Sequence, residues 1–323
     1  MSNHHICISV ATRNRPKMLG ELFSSFVHLT EPENVRISFL VVENNPVCTL
    51  STSIEGFRAS MPDKDIEYLL ESNISIAAAR NRSLEHAIEK NFDLLVYVDD
   101  DEIVEPDWLV CLLRERDRLD LDIAGSPVRP RPFDANLNFW QRIVWSGIER
   151  HAYKSEEKCR RRCAQGQGGS IKLATGSWMG RLDFFRKTGL RFDSRLGLTG
   201  GEDWNLWAQA KAQGAKTGWA CDAIVYEIVP PARLSLAYHF RRNRDHNITE
   251  FGARYRENPK RALRQLPAKI LGRLLKFIIV LCSIPFKGGC ALISSAMALG
   301  GAVGLIQACF GKSSRHYANT TGF

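Results

Sequence analysis

Leu94-Leu95-Val96-Tyr97-Val98-Asp99-Asp100-Asp101 is the stretch whose reading decides the fold. An unbroken apolar run with two valines and a tyrosine fits a strand covered on both faces, as in a parallel sheet. Ligands of open α/β sheets bind beyond the carboxyl ends of the strands, and there this run places its aspartates. Two earlier runs read the same way. Ile6-Cys7-Ile8-Ser9-Val10-Ala11 leads into Thr12-Arg13-Asn14-Arg15-Pro16, and Ile37-Ser38-Phe39-Leu40-Val41-Val42 into Glu43-Asn44-Asn45-Pro46. Residues 66–70 give a short third strand. Leu19, Leu22, Phe23 and Phe26 keep helical spacing. Residues 76–90 read as a helix with Leu84, Ala87 and Ile88 on one face, and Pro106 to Leu113 opens another. Strands alternating with helices predict an α/β fold with a mostly parallel central sheet flanked by helices.

Past Val128 the pattern weakens. Residues 154–170 are charged and then rich in Gly and Gln, and with no apolar periodicity they read as a loop. A strand is expected within 171–179, a short helix over 182–187, a helix over 204–213 and a strand over 224–226. Pro230-Pro231 breaks the chain.

The chain has 323 residues and a net charge of +9. Arg233 to Lys276 holds twelve Lys and Arg against three Asp and Glu, so this block carries the whole excess. Such a block meets phosphate, on a nucleic acid or on an anionic membrane. Its continuation into Phe277-Ile278-Ile279-Val280-Leu281 favours the membrane. The uncharged stretch Gly288 to Gly311 has 24 residues, and a span needs roughly 20. It is expected to insert or embed in a membrane, as a single span or a re-entrant hairpin, with the basic block on the cytoplasmic side; a surface-lying segment and a packed soluble helix are the other placements. Met1 to His5 is polar, so no signal peptide is expected. Nine cysteines in no regular framework fit a reduced compartment, and Cys159 and Cys163 lack a second pair at metal spacing. The expected organisation is a catalytic domain over 1–232, a basic helical membrane-proximal segment over 233–276, a hydrophobic membrane-associated segment over 277–311 and a tail over 312–323.

Three groups of residues carry chemistry. Asp99 and Asp101 point the same way if the chain stays extended, and Mg²⁺ or Mn²⁺ bridges such carboxylates to diphosphate oxygens. The same aspartates, with Asp100, also fit an acidic turn ahead of the next helix. Glu202-Asp203, behind Gly200-Gly201, offers a carboxylate that can take a proton from a hydroxyl; both residues also suit the positive end of a helix. Thr12, Arg13, Glu43, Asn45, Arg80 and Asn81 form the third group. Thr12 and Glu43 close the first two strands on the edge that holds Asp99. A carboxylate there can accept from a uracil imide, and Arg80 can reach a base or a phosphate.

Ile8 to Pro16, Val41 to Asn45, Ala77 to Arg82, Val96 to Glu102 and Gly200 to Asp203 occur in the order seen in family-2 inverting glycosyltransferases. The chain resembles them over roughly residues 5 to 247, and within them the bacterial succinoglycan-type exopolysaccharide glucosyltransferases. Val225-Tyr226-Glu227, Val229 to Arg233, Tyr238 and Arg241-Arg242 are similar to the C-terminal signature of that subgroup. The resemblance implies a GT-A fold, a Rossmann-like sheet. It also implies a UDP-sugar donor, a metal on Asp101, Asp99 near the ribose or base, Asp203 as general base and Glu202 beside the acceptor. Glu43 stands where the family usually has Asp facing uracil. Gly176-Ser177-Trp178 replaces the usual Gly-Asn on the acceptor side. The Gln-x-x-Arg-Trp motif of processive synthases is absent, and His239-Phe240-Arg241-Arg242 in that region implies addition of a single sugar. Arg241 and Arg242 are implied to contact diphosphate. The implied acceptor is a lipid-linked or polysaccharide-precursor hydroxyl at the cytoplasmic face of the membrane.

Other readings fit less well. A nucleotidyltransferase needs a glycine-rich loop after the first strand, and Thr12 to Pro16 has no glycine. A non-catalytic sugar-nucleotide-binding scaffold would not need acidic residues at both positions. Nucleic-acid binding is not expected, because the basic block leads into an apolar one.

Overall fold

The computed structural model describes residues 4–196 and 200–312. Gly197, Leu198, Thr199 and the tail from residue 313 lie outside the described residues, so part of the Gly197 to Gly201 loop does too.

The first half alternates strands and helices: β1 (His4–Thr12), α1 (Pro16–Phe26), β2 (Val35–Glu43), α2 (Ser51–Ser60), β3 (Asp65–Leu70), α3 (Ile76–Glu89), β4 (Leu94–Asp99), β5 (Glu102–Val104) and α4 (Trp108–Leu119). Next come β6 (Ile123–Gly125), β7 (Val128–Pro132), α5 (Phe139–Ala164), β8 (Ser177–Arg181), α6 (Leu182–Thr188), α7 (Glu202–Ala212), β9 (Thr217–Trp219) and β10 (Val225–Val229). Four helices follow: α8 (Leu236–Glu257), α9 (Pro259–Cys282), α10 (Ile284–Lys287) and α11 (Gly289–Cys309).

A seven-stranded sheet runs in the order β3-β2-β1-β4-β8-β6-β9, and a small sheet in the order β5-β10-β7. The strands from β3 to β4 are parallel; β8 alone runs antiparallel to its neighbours β4 and β6. Both faces of the large sheet are covered. Ile6, Ile8, Val96 and Val98 pack on one side with Leu19, Leu22 and Trp108. Cys7, Leu95 and Tyr97 pack on the other with Leu84, Trp178 and Phe185. This double burial is why β1 and β4 read as continuous apolar runs. The fold is mixed α/β with a mostly parallel central sheet and flanking helices, as the sequence predicts.

The loop expected over 154–170 is instead mostly helix, since α5 runs to Ala164. Its only buried residues are Val144 and Gly147, so it carries no apolar stripe. A capping box between Asn138 and Gln141 starts it. Glu156 then ties it down, taking Arg160 at 3.0 Å and both prongs of Arg129 at 2.8 and 2.9 Å.

The boundary expected at 276/277 falls inside α9. α11 has the length and composition of a membrane-crossing helix, yet 61% of its most apolar window is buried in protein. Gly300 and Gly304 lie so close to the backbone of Phe240 and Arg244 in α8 that no side chain fits between. All nine cysteines are unpaired.

Candidate active site

The sheet register builds the site. Thr12 pairs with Glu43, and Ala11 with Asp99, so β1, β2 and β4 end together. The chain turns at Asp100-Asp101 into β5, where Glu102 stands directly opposite Glu227 of β10. Gly200 and Gly201 have φ of 77° and 91°, a left-handed backbone that glycine takes readily. They turn the chain so that α7 begins at Glu202 beside the same strand ends. The result is a cavity of about 400 Å³. Asp99, Asp101, Glu202, Asp203, Glu227 and Arg233 are among its lining.

Three arginines hold these carboxylates. Arg80, buried on α3, bonds Glu202 with one prong and Asp99 with the other at 3.0 Å. It thereby joins the end of β4 to the start of α7. Its carbonyl accepts the Tyr97 hydroxyl at 2.6 Å, which fixes α3 to the sheet. Arg15 donates to Asp100 at 2.7 Å and to Asp101 at 3.1 Å. Arg233 reaches the same Asp101 oxygen at 3.1 Å and Glu227 at 2.6 Å. The Thr12 hydroxyl donates to Asp100 at 2.8 Å.

The charge balance still leaves the carboxylates hard to ionise. Burial, then Glu227 and Asp100, push Asp101 up to about 7 against the pull of Arg15 and Arg233. Glu102 is raised well above the usual range by burial and by Asp99 beside it. Burial also raises Asp100, Glu202 and Asp203, although Arg15 opposes it at the first and Arg80 at the other two. A site that crowds acids so closely suits a cation.

The donor set fits a hard divalent ion. Asp99 keeps 41% of its side chain exposed and faces the same cavity as Asp101. Among the described residues no group of three His, Cys, Asp or Glu is arranged to hold a metal. Two carboxylates on one cavity wall, with water and substrate phosphate completing the shell, is a common way for a protein to hold Mg²⁺.

The other predicted residues separate. Arg13 lines the cavity, and its buried Nε and Nη1 have no protein partner. Two unsatisfied donors beside a diphosphate-sized space suit a phosphate. Arg13→Gln is expected to weaken binding of inorganic pyrophosphate by roughly ten- to a hundredfold, the value of one or two charge-assisted bonds; calorimetric titration of wild type and variant checks it. Arg242 lines the cavity, whereas its exposed neighbour Arg241 is not among the lining residues.

Glu43 is fully buried and outside that lining. Its carboxylate accepts from Thr49, Tyr68 and Asn45, and these bonds outweigh burial and keep its pKa low. Asn45 also donates to Asn14 at 3.0 Å, and Asn44 takes the place on the cavity wall. Asn81 exchanges hydrogen bonds with the backbone of Phe192 at 2.8 and 2.9 Å. Ser177 accepts the Trp108 indole at 2.9 Å and is core.

Sequence reading alone does not single out Arg15, Glu102, Glu227 or Arg233 as site residues. Gly176 is a further one. A Cβ there would lie 2.5 Å from a Glu102 oxygen and 3.3 Å from an Asp99 oxygen. Gly176→Ala is expected to cost about 1–3 kcal/mol of stability through overpacking and to depress activity by displacing Asp99. Gly20→Ala in α1, with open space at its Cβ, serves as control and should be neutral or stabilising; thermal melts and activity of the two variants check this.

Residues 4–246 match the family model described as glycosyltransferase like family 2. This chain belongs to that family. The ExoM succinoglycan biosynthesis protein of Rhizobium meliloti (strain 1021) is 30% identical over 243 residues, which is 72% of this chain and 70% of that protein. A similar fold is found in a mannosyltransferase, PcManGT from Pyrobaculum calidifontis, solved with GDP-Man and Mn²⁺. Its TM-score is 0.64 at 15% identity over 97% of this chain and 89% of that one. S. aureus TarS 1-349 with UDP gives a TM-score of 0.50 at 14% identity, over 95% and 92% of the two chains. The chain spans 38% of the length of a longer TarS chain. The protein is thus a family-2 glycosyltransferase.

Proposed function

We propose that this glycosyltransferase moves a hexose from a UDP-sugar to the hydroxyl of a lipid-linked or polysaccharide-precursor acceptor, with inversion, at the cytoplasmic face of the membrane. The carrying observation is one cavity that brings Asp99 and Asp101 at the strand ends together with Asp203 at the helix start. Nucleotide-bearing fold neighbours, one with Mn²⁺, support a nucleoside-diphosphate sugar as donor. The relative named for succinoglycan biosynthesis supports a polysaccharide precursor as acceptor.

The residues divide the work. Arg13 and Arg242 take the diphosphate, and Thr12 holds Asp100 in place. A divalent cation on Asp101 and Asp99 would supply positive charge to the departing diphosphate. Asp203 accepts the acceptor proton as the acceptor oxygen attacks the anomeric carbon from the face opposite UDP. The new C–O bond forms as the bond to the diphosphate oxygen breaks, and the leaving group keeps that electron pair. Glu202, bound to Arg80, positions Asp203.

Calorimetric titration with UDP in Mn²⁺ tests the donor half. Wild type is expected to bind UDP, with binding lost in EDTA and in Asp101→Ala. Tighter binding of GDP than of UDP would overturn the choice of base, and equal binding by Asp101→Ala the metal assignment.

A further inference from the structure

The C-terminal half of α9 carries apolar residues on both its inward and its outward face, with Arg273 and Lys276 between them. Leu266 and Ile270 face inward, in a cluster with Leu305 and Ala308 of α11 and Phe251 of α8. The outward face has no protein cover: Leu271, Leu275, Ile278 and Ile279 are 57%, 50%, 55% and 68% exposed, and Phe286 on α10 is 87% exposed. An apolar face that the protein leaves uncovered marks a contact with another apolar surface. Arg264, Leu271, Leu275 and Ile278 follow at intervals of seven, four and three residues, so they share one face. That face is basic in its first turns, at Lys260, Arg261 and Arg264, and apolar in its last. Residues 259–287 contain no Asp or Glu, and Lys287 closes the ridge beyond Phe286.

We propose that α9 and α10 lie in the surface of an anionic bilayer, with Leu271, Leu275, Ile278, Ile279 and Phe286 below the headgroups. Lys260, Arg261, Arg264, Lys276 and Lys287 meet lipid phosphates. A second copy of this chain is the poorer occupant, because it would set one acid-free basic ridge against another. α11 is not the membrane element. Its glycine contacts lock it to α8, which carries Arg241, Arg242, Arg244, Asp245 and Glu250, and those charges would have to enter hydrocarbon with it. α8 also bears Tyr238 and Arg242 on the cavity wall, so a docked α9 holds the site at a fixed height above the surface. This purpose, though not the docking itself, rests on the proposed lipid-linked acceptor.

The test is flotation of the full-length protein with vesicles of phosphatidylcholine alone, or of equal parts phosphatidylcholine and phosphatidylglycerol. Wild type is expected to float with the anionic vesicles, and alkaline carbonate to strip it off. Ile278→Ser/Ile279→Ser should lower the bound fraction at least about tenfold, since both substitutions take apolar surface away from the inserted face. Lys260→Gln/Arg264→Gln should do the same at low salt and add little at high salt. Donor hydrolysis in detergent, retained by both variants, shows that they fold. Wild type that ignores both vesicle types, floats equally well after either double substitution, resists carbonate, or forms a dimer that the Ile278/Ile279 variant loses would overturn the proposal. Because flotation reads lipid and not transfer, its outcome stands apart from that of the transferase reading.

Discussion

Asp203→Asn is expected to cut sugar transfer roughly 10²–10⁴-fold, the usual worth of a positioned general base, with UDP binding intact. Asparagine keeps the shape and the acceptor oxygen that takes the Trp204 amide at 2.7 Å, so the start of α7 should hold. Only the ability to take a proton is lost. The pH profile adds a second reading. Burial and the nearby Asp99 raise Asp203 above the ordinary carboxylate range, and Arg80 offsets this only in part. The base works when ionised, so activity falls as pH drops through that raised value. The acid limb of kcat/KM is therefore expected above the ordinary carboxylate value of about 3.9. In Asp203→Asn the residual rate should lose that limb. Normal turnover by Asp203→Asn would remove the base assignment.

Arg80→Met should be the most damaging single change to stability. It leaves Glu202 without its cation and Asp99 without its tie, in a pocket where Glu202 is 4% exposed. Removing one partner of a buried pair typically costs about 3–5 kcal/mol, because the other charge stays uncompensated. The sign with pH follows from burial, which already raises Glu202 against the pull of Arg80. Without Arg80 the carboxyl is raised further and protonates more readily, so the deficit should shrink toward acid pH. Thermal unfolding of wild type and variant at neutral and mildly acid pH checks both the loss and its trend. Arg80→Lys should recover part of the stability and less of the activity, since one ammonium cannot span Glu202 and Asp99 as a fork does. An Arg80→Met protein as stable as wild type would show that the pin between α3, β4 and α7 carries nothing.

The sheet was legible because burial on both faces leaves β1, β2 and β4 as plain apolar runs. α5 was not, because a helix with two buried residues writes no stripe; its one local signal is Asn138 three residues before Gln141. β8 was blurred by Ser177 and Gly180, whose small size answers to packing around Trp108, Trp178 and Phe185 rather than to strand propensity. In the site, Asp99, Asp101 and Asp203 stand out by position, after a strand or at a helix start, and the ordered family motifs then choose the site over a plain acidic turn or helix cap. Arg80 stands out too, but as a contact for a base or phosphate; its bond to Glu202, 122 residues away, and that of Arg233 to Asp101, 132 away, leave no local trace. The buried bonds of Glu43 to Thr49 and Tyr68 are equally silent in the sequence, where it reads as one more strand-end carboxylate.

The central claim is that Asp101 and Asp203 serve one nucleotide-sugar reaction in one cavity. The most direct measurement is nucleoside-diphosphate release from a panel of UDP- and GDP-sugars, in mild detergent, with Mn²⁺, Mg²⁺ or EDTA, for wild type, Asp101→Ala and Asp203→Asn. The account predicts release from a UDP-hexose with metal present, lost in EDTA and in both variants. Release that persists in EDTA and is unchanged in the two variants would contradict it.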